Sequence, residues 1–165
     1  MAVTSSQTAT VTLPTDEQIL ITREFDAPKH LVFQAYTTPE LVNRWWGANR
    51  AEVTVAEIDL RVGGKWRFVG VANDGGMEFA FHGEYREIVP NERLVSTEAF
   101  EGVPDPDGNA TLNTATFTEV DGRTTLTILV EAPSKEVRDA IIESGMEDGL
   151  QDALDLLEQV AVSLR

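Results

Sequence analysis

Apolar and polar residues alternate along most of the chain between residues 18 and 131, which is the pattern of strands with one buried face. Ile19, Ile21 and Phe25 share one side of the first such run, and Arg23 interrupts that apolar side. From residue 51 onward, short turns rich in Gly, Asp and Asn separate the alternating runs, and Asp121-Gly122 is a typical hairpin dipeptide. Parallel neighbours need a crossover of about a dozen residues, so we expect an antiparallel meander of about six to seven strands.

Helical spacing of apolar residues follows the first strand and returns at the C-terminus. Pro28 and Pro39 fit the first turns of two short helices, and the second of these ends near the adjacent Trp45 and Trp46. From Ser134 onward, apolar residues recur every three or four positions, which predicts one long helix of about 45 Å. Such a helix can cover the apolar face of the sheet.

The N-terminal stretch lacks any hydrophobic period. Residues 1–16 are mostly Ala, Thr, Ser and Val, without the basic start and apolar block of a signal peptide. We expect a flexible tail over residues 1–16 and a single domain over residues 17–165.

Composition restricts the class of partner. The chain has 28 Asp and Glu against 13 Lys and Arg, a formal net charge of −15, so it repels phosphate backbones and anionic lipids. No apolar run approaches the ~20 residues of a membrane helix. We therefore expect neither nucleic acid nor membrane as a partner. The chain has no cysteine, which fits a reducing interior, and the expected location is the cytoplasm.

Four segments, in order, resemble a known family. They are "REFDAPKHLVFQAYTTPELVNRWWG", "RVGGKWRFV", "FHGEYREIVPNERLVSTEAF" and "ESGMEDGLQDALDLLEQ", within residues 19–162. The set resembles the SRPBCC superfamily, which includes START domains and birch-pollen-allergen-like proteins. More narrowly, it resembles the branch named for the activator of heat-shock protein 90 ATPase. The resemblance implies an α+β helix-grip fold, in which a curved antiparallel sheet wraps around a long C-terminal helix, usually with a cavity for an apolar ligand.

Aromatic residues mark the strand faces expected to meet this helix. Trp66 and Phe68 share one side of their strand, and Phe79, Phe81 and Tyr85 share a side of the next strand with Gly83. These rings form either an ordinary core or a cavity wall. Missing side chains at Gly83, and at Gly145 and Gly149 of the long helix, favour the cavity wall. The ligand-binding candidates are Trp46, Trp66, Phe68, Phe79, Phe81, Tyr85, Phe117, Met146 and Leu150.

Candidate catalytic residues are few. His82 shares a strand face with Glu78, four residues earlier, and Glu84, two residues later, a pattern more typical of the solvated face of a sheet. His82, Glu84 and Tyr85 are the weak candidates for a general acid or base. His30 is distant in sequence and thiolates are absent, so neither a metal site nor a cofactor is predicted.

Three functions remain open from the sequence. The first is binding of a small hydrophobic or aromatic molecule between the sheet and the C-terminal helix, and the second is a chaperone-linked or other protein-interaction module. The third is an enzyme acting on a substrate bound in the cavity, which the absence of a transferable catalytic signature disfavours. The eukaryotic co-chaperone of this family also has an N-terminal chaperone-binding domain, for which 165 residues leave no room, and this counts against the second function.

Overall fold

The computed structural model of the protein describes residues 8–165, in which strands and helices follow the predicted order. The strands are β1 (Thr10–Thr12), β2 (Gln18–Phe25), β3 (Ala51–Ile58), β4 (Lys65–Ala72), β5 (Glu78–Val89), β6 (Arg93–Phe100), β7 (Thr111–Val120) and β8 (Arg123–Glu131). The helices are α1 (Lys29–Thr37), α2 (Pro39–Trp45), α3 (Lys135–Glu143) and α4 (Met146–Ser163).

The strands form one antiparallel sheet in the order β1-β2-β8-β7-β6-β5-β4-β3. Strands β3 to β7 each pair with the next strand along the chain, which is the predicted meander. Strand β2 joins the meander by pairing with β8. Positive φ angles at Asp121 and Gly122, 53° and 78°, make the tight turn between β7 and β8. The predicted α+β helix-grip architecture is confirmed. Two helical segments, α3 and α4, lie on one face of the sheet, which we call the inner face.

The sheet has eight strands rather than six or seven, because residues within the predicted tail add an edge strand. Thr10 pairs with Thr22, and Thr12 pairs with Leu20. An edge strand such as β2 has unpaired backbone groups along its outer side, and β1 satisfies some of them. Residues 10–12 of the expected tail thus form this strand, while residues 1–7 of that tail lie outside the described residues.

The predicted continuous C-terminal helix is interrupted at Gly145. Ser134 caps the start of α3, where its side-chain oxygen accepts a hydrogen bond from the Val137 amide at 3.2 Å. Gly145 has a φ of +80°, which glycine adopts without a steric cost, and α4 begins at the next residue. A Cβ atom added at Gly145 or Gly149 would meet nothing within 4 Å, so neither glycine serves a close approach between elements.

Arg23 extends the buried face of β2 instead of interrupting it. Its side chain is fully buried, with Nη2 at 2.8 Å from Oε1 of Glu158 and Nη1 at 2.9 Å from Oδ1 of Asp155. The backbone amide of Asp26 donates to the other oxygen of Glu158 at 2.8 Å. The guanidinium also lies 5.1 Å from the ring centroid of Phe25. These contacts tie β2 to the C-terminal half of α4.

His82 lies on the opposite, outer face of the sheet, where it contacts the β6–β7 loop. Its Nδ1 is 2.8 Å from Oε2 of Glu101, and its Nε2 is 2.7 Å from Oδ1 of Asp107. Hydrogen bonds to Asp107 and then Glu101 raise the pKa of His82. Arg67 and then His82 lower the pKa of Glu101 to about 2. Because both ring nitrogens face carboxylates, the protonated imidazolium, which donates from both nitrogens, suits this position.

We expect Arg23→Met to lower the free energy of unfolding by about 3–5 kcal/mol, because it leaves the carboxylate of Glu158 buried without its cation. Adding Glu158→Gln to this variant should recover part of the loss, since the amide oxygen still accepts from Asp26. Urea denaturation measures both effects. Arg44→Met changes an exposed arginine of α2 and is the matched control. Equal stability of Arg23→Met and Arg44→Met would contradict the role given to Arg23.

We expect His82→Gln to destabilise the protein most at slightly acidic pH. The folded-state pKa of His82 is raised above the unfolded value of about 6.5, so its contribution is complete below that pH and is lost as the pH rises through the folded-state value. Urea denaturation at pH 6 and pH 9 should show a larger deficit for the variant at pH 6. His30→Gln, at the exposed histidine of α1, is the matched control for the loss of an imidazole. A deficit equal at both pH values would refute this assignment.

Candidate functional site

A cavity of about 890 Å³ lies between the inner face of the sheet and the helices. Its walls are mostly apolar: β4 and β5 supply aromatic rings, α3 and α4 supply aliphatic side chains, and the end of α2 with the residue after it supplies Trp45 and Trp46. Seven of the nine ligand-binding candidates line it, namely Trp46, Trp66, Phe68, Phe81, Tyr85, Met146 and Leu150. The structure therefore brings the predicted aromatic strand face and the predicted helix face together around one space.

Phe79 and Phe117 do not line the cavity. Phe117 is 1% exposed and lies 5.4 Å from the ring of Phe33 and 5.7 Å from that of Tyr36, so it belongs to the core beneath α1. Phe79 packs 5.6 Å from the ring of Trp46 and covers the backbone of Gly70. Alternation identifies a strand face but not the position along it, and these two rings lie beyond the ends of the cavity wall.

Gly83 makes room for a neighbouring ring rather than for a ligand. A Cβ atom at this position would lie 2.4 Å from Nε1 of Trp66 and 1.9 Å from the Thr97 carbonyl oxygen. In its absence, Trp66 Nε1 donates a hydrogen bond to that oxygen at 3.2 Å. The indole also packs 4.8 Å from the ring of Phe68. Gly83 therefore allows Trp66 to lie against the strands and form part of the cavity wall.

The two adjacent tryptophans have different partners. Trp45 ends α2, stacks 5.5 Å from the ring of Tyr36 and donates through Nε1 to the carbonyl oxygen of Ala35 at 2.9 Å. Trp46 contacts the rings of Phe68 at 5.4 Å and Phe81 at 5.8 Å. Both tryptophans line the cavity. Trp46 thus meets packed rings on one side and open space on another.

A polar group that the sequence interpretation missed lies on β6 and β7. Oε1 of Glu98 accepts a hydrogen bond from Nδ2 of Asn113 at 2.5 Å, and Oδ1 of Asn113 accepts one from the Thr111 hydroxyl at 2.8 Å. Burial raises the pKa of Glu98, while the Asn113 hydrogen bond acts in the opposite direction. Ser96 lies opposite Asn113 in the strand register, so these residues form one polar strip within an apolar cavity.

The sequence of β6 is ambiguous about which of its two faces points toward the helices. Ser96 and Glu98 alternate with Val95 and Thr97, so both faces of β6 carry polar and apolar residues. Period alone does not decide which of them faces inward. The pairing of β6 with β7 and the position of the helices resolve it.

Two phenols add to the polar lining of the cavity. Burial raises the pKa of both Tyr36 and Tyr85, and the charge of Glu98 also contributes at Tyr36. Within residues 8–165, neither phenol oxygen has a hydrogen-bond partner, and neither is enclosed by protein atoms. Both hydroxyls are therefore available to a bound molecule.

The three catalytic candidates do not share a site. Tyr85 lines the cavity, whereas His82 and Glu84 lie on the outer face of the sheet. Glu84 pairs with Lys65 at 3.2 Å and with Arg86 at 2.9 Å, and mainly the Lys65 hydrogen bond lowers its pKa. Of the three alternative candidates for a general acid or base, Tyr85 is the one that lines the cavity.

Residues 8–165 contain no cluster of three or more His, Asp or Glu side chains placed to hold a metal ion. No helix in this part of the chain combines the length and the apolar character needed to cross a membrane.

The fold occurs in several solved bacterial proteins. A protein from Rhodobacter sphaeroides superposes with a TM-score of 0.84 at 24% identity, covering 94% of this chain and 99% of its own. A protein from Mycobacterium smegmatis superposes with a TM-score of 0.81 at 27% identity, and the match covers 92% of this chain and 96% of that protein. A protein from Chromobacterium violaceum superposes with a TM-score of 0.74 at 29% identity, and the match covers 87% of this chain and 96% of that protein. No match was found among curated proteins.

The family of the chain follows from a match to its sequence model. The model described as "Activator of Hsp90 ATPase homolog 1-like protein" matches residues 26–161. The match begins directly after β2 and ends in the C-terminal half of α4, so it includes the described cavity-lining residues except Ile21. The chain therefore belongs to the activator of Hsp90 ATPase homolog 1-like family.

Proposed function

We propose that the protein binds a small hydrophobic or aromatic molecule in the cavity between the sheet and the C-terminal helices. The observation that carries the proposal is a space of about 890 Å³ with mostly apolar walls and a few converging polar groups. Ligand pockets typically measure about 300–1,000 Å³ and have this kind of lining. Protein interiors otherwise pack closely, and voids larger than a water molecule are few.

The rim of the cavity offers an apolar route for entry. Phe100 and Val103 line the cavity and are 39% and 37% exposed, respectively. Val137 and Ala140 of α3 also line it, and Ala140 is exposed. An apolar ligand entering between the β6–β7 loop and α3 would remain in contact with apolar groups on both sides.

The family description favours a second candidate, a protein-interaction module that acts on a chaperone ATPase. That role calls for a filled core and an apolar docking patch on the outer surface. Here, two of the exposed apolar residues, Phe100 and Val103, belong to the cavity rim instead. An ATPase assay with the purified chaperone tests this candidate, and stimulation by a variant with a blocked cavity would favour it over ligand binding.

Catalysis on a bound molecule is the third candidate. It would rely on Glu98, Tyr36 or Tyr85, since His82 and Glu84 lie on the other face of the sheet. If Tyr85→Phe and Glu98→Gln leave the rate at which a bound substrate is converted unchanged, these two groups are excluded as its general acid or base.

We expect the neutral fluorescent probe N-phenyl-1-naphthylamine to bind saturably, with a blue shift, because the cavity walls are apolar. Leu150→Trp adds bulk to the α4 wall and, combined with Ile141→Trp on α3, should weaken binding at least about tenfold. Fluorescence titration measures this effect, and native mass spectrometry gives the stoichiometry.

The matched control is Val162→Trp, which places the same side chain at an exposed position of α4 away from the cavity. It should bind the probe as the unaltered protein does. The proposal fails if the probe does not saturate, or if the double variant binds as tightly as the control.

A further inference from the structure

The charged residues lining the cavity are all acidic. Within residues 8–165 they are Glu98, inside the cavity, and Glu136, exposed in the first turn of α3, and the lining contains no Lys, Arg or His. An anionic ligand would therefore have no cation to pair with and would face two carboxylates. The net charge of −15 acts in the same direction, since it lowers the local concentration of anions and raises that of cations.

The carboxylate of Glu98 is oriented with one oxygen free. The Thr111 hydroxyl donates to Oδ1 of Asn113, which turns the amide nitrogen of Asn113 toward Oε1 of Glu98. Oε2 of Glu98 has no partner within residues 8–165 and is not enclosed by protein atoms, so it is open to the cavity. A hydrogen-bond donor on a ligand is the group that this oxygen can accept.

The surroundings of Glu98 also suit a positive charge. Tyr36 lies close enough for the two groups to interact electrostatically, and Trp66, Phe68 and Phe81 supply ring faces to the same cavity. Aromatic faces attract cations, and more strongly where water is excluded. A buried carboxylate is costly unless a cation pairs with it, and no side chain in residues 8–165 supplies one to Glu98. Burial accordingly raises its pKa.

We propose that the ligand is an organic cation, an apolar or aromatic body carrying a protonated amine that donates a hydrogen bond to Oε2 of Glu98. The proposal rests on the proposed function, since it names the ligand class of the same cavity. A neutral alcohol could use the same oxygen, but it would leave the carboxylate charge unbalanced. A carboxylate ligand would add a second negative charge beside it.

A matched series of fluorescent probes tests this ligand class: 1-aminomethylpyrene, 1-hydroxymethylpyrene and 1-pyreneacetate, which share a ring system and differ in charge. The unaltered protein should bind the amine at least about tenfold more tightly than the alcohol, and the carboxylate most weakly. Glu98→Gln keeps the side-chain shape and should weaken amine binding at least about tenfold, with alcohol binding unchanged within about twofold. Fluorescence titration at low and moderate salt gives the dissociation constants.

The control is Glu52→Gln, which makes the same change in net charge at an exposed position of β3 and should leave the ranking unchanged. Equal binding of all three probes, or an amine preference that survives Glu98→Gln, overturns the proposal while the proposed function stands. Failure of all three to bind overturns both. If Glu98→Gln does not fold, as judged by circular dichroism, the ranking of the three probes on the unaltered protein decides.

Discussion

The ion pair between Arg23 and Glu158 is the contact on which the arrangement of helix and sheet depends. It fixes the C-terminal half of α4 against β2, where Leu157, Val160 and Ala161 are almost fully buried. The N-terminal half of α4 is held by Gln151, which exchanges two hydrogen bonds with the backbone of Ala9, and it borders the cavity with Met146 and Leu150, which are only partly buried. The domain is therefore packed at one end of the helix and hollow at the other.

Much of the fold could be predicted from the sequence because strands with one buried face alternate regularly, and Asp121-Gly122 and similar turns leave no room for parallel pairing. The break at Gly145 could not be predicted. A glycine in a helical pattern can either lie within the helix, at a cost of about 1 kcal/mol, or end the helix. Strand β1 was not predicted because three residues are too few to show an alternation of apolar and polar positions.

The candidate site was predicted only in its apolar half. Alternation placed Trp66, Phe68 and Phe81 on the inner face, and the structure brings them to the cavity. Glu98 and Asn113 depend on the register between β6 and β7, and no property of either strand alone determines which polar residues become neighbours. Polar groups within an apolar cavity are the part of a site that sequence periodicity predicts least well.

The left-handed backbone at Gly145 divides the helical wall of the cavity into α3 and α4. Helix α4 both lines the cavity and carries the ion pairs with Arg23, whereas α3 lines the cavity from a separate segment of nine residues. Substitutions along α3 can therefore reshape the cavity without altering the contacts of Arg23. Within the family, the volume and lining of the cavity can change during evolution while the contacts between helix and sheet are kept.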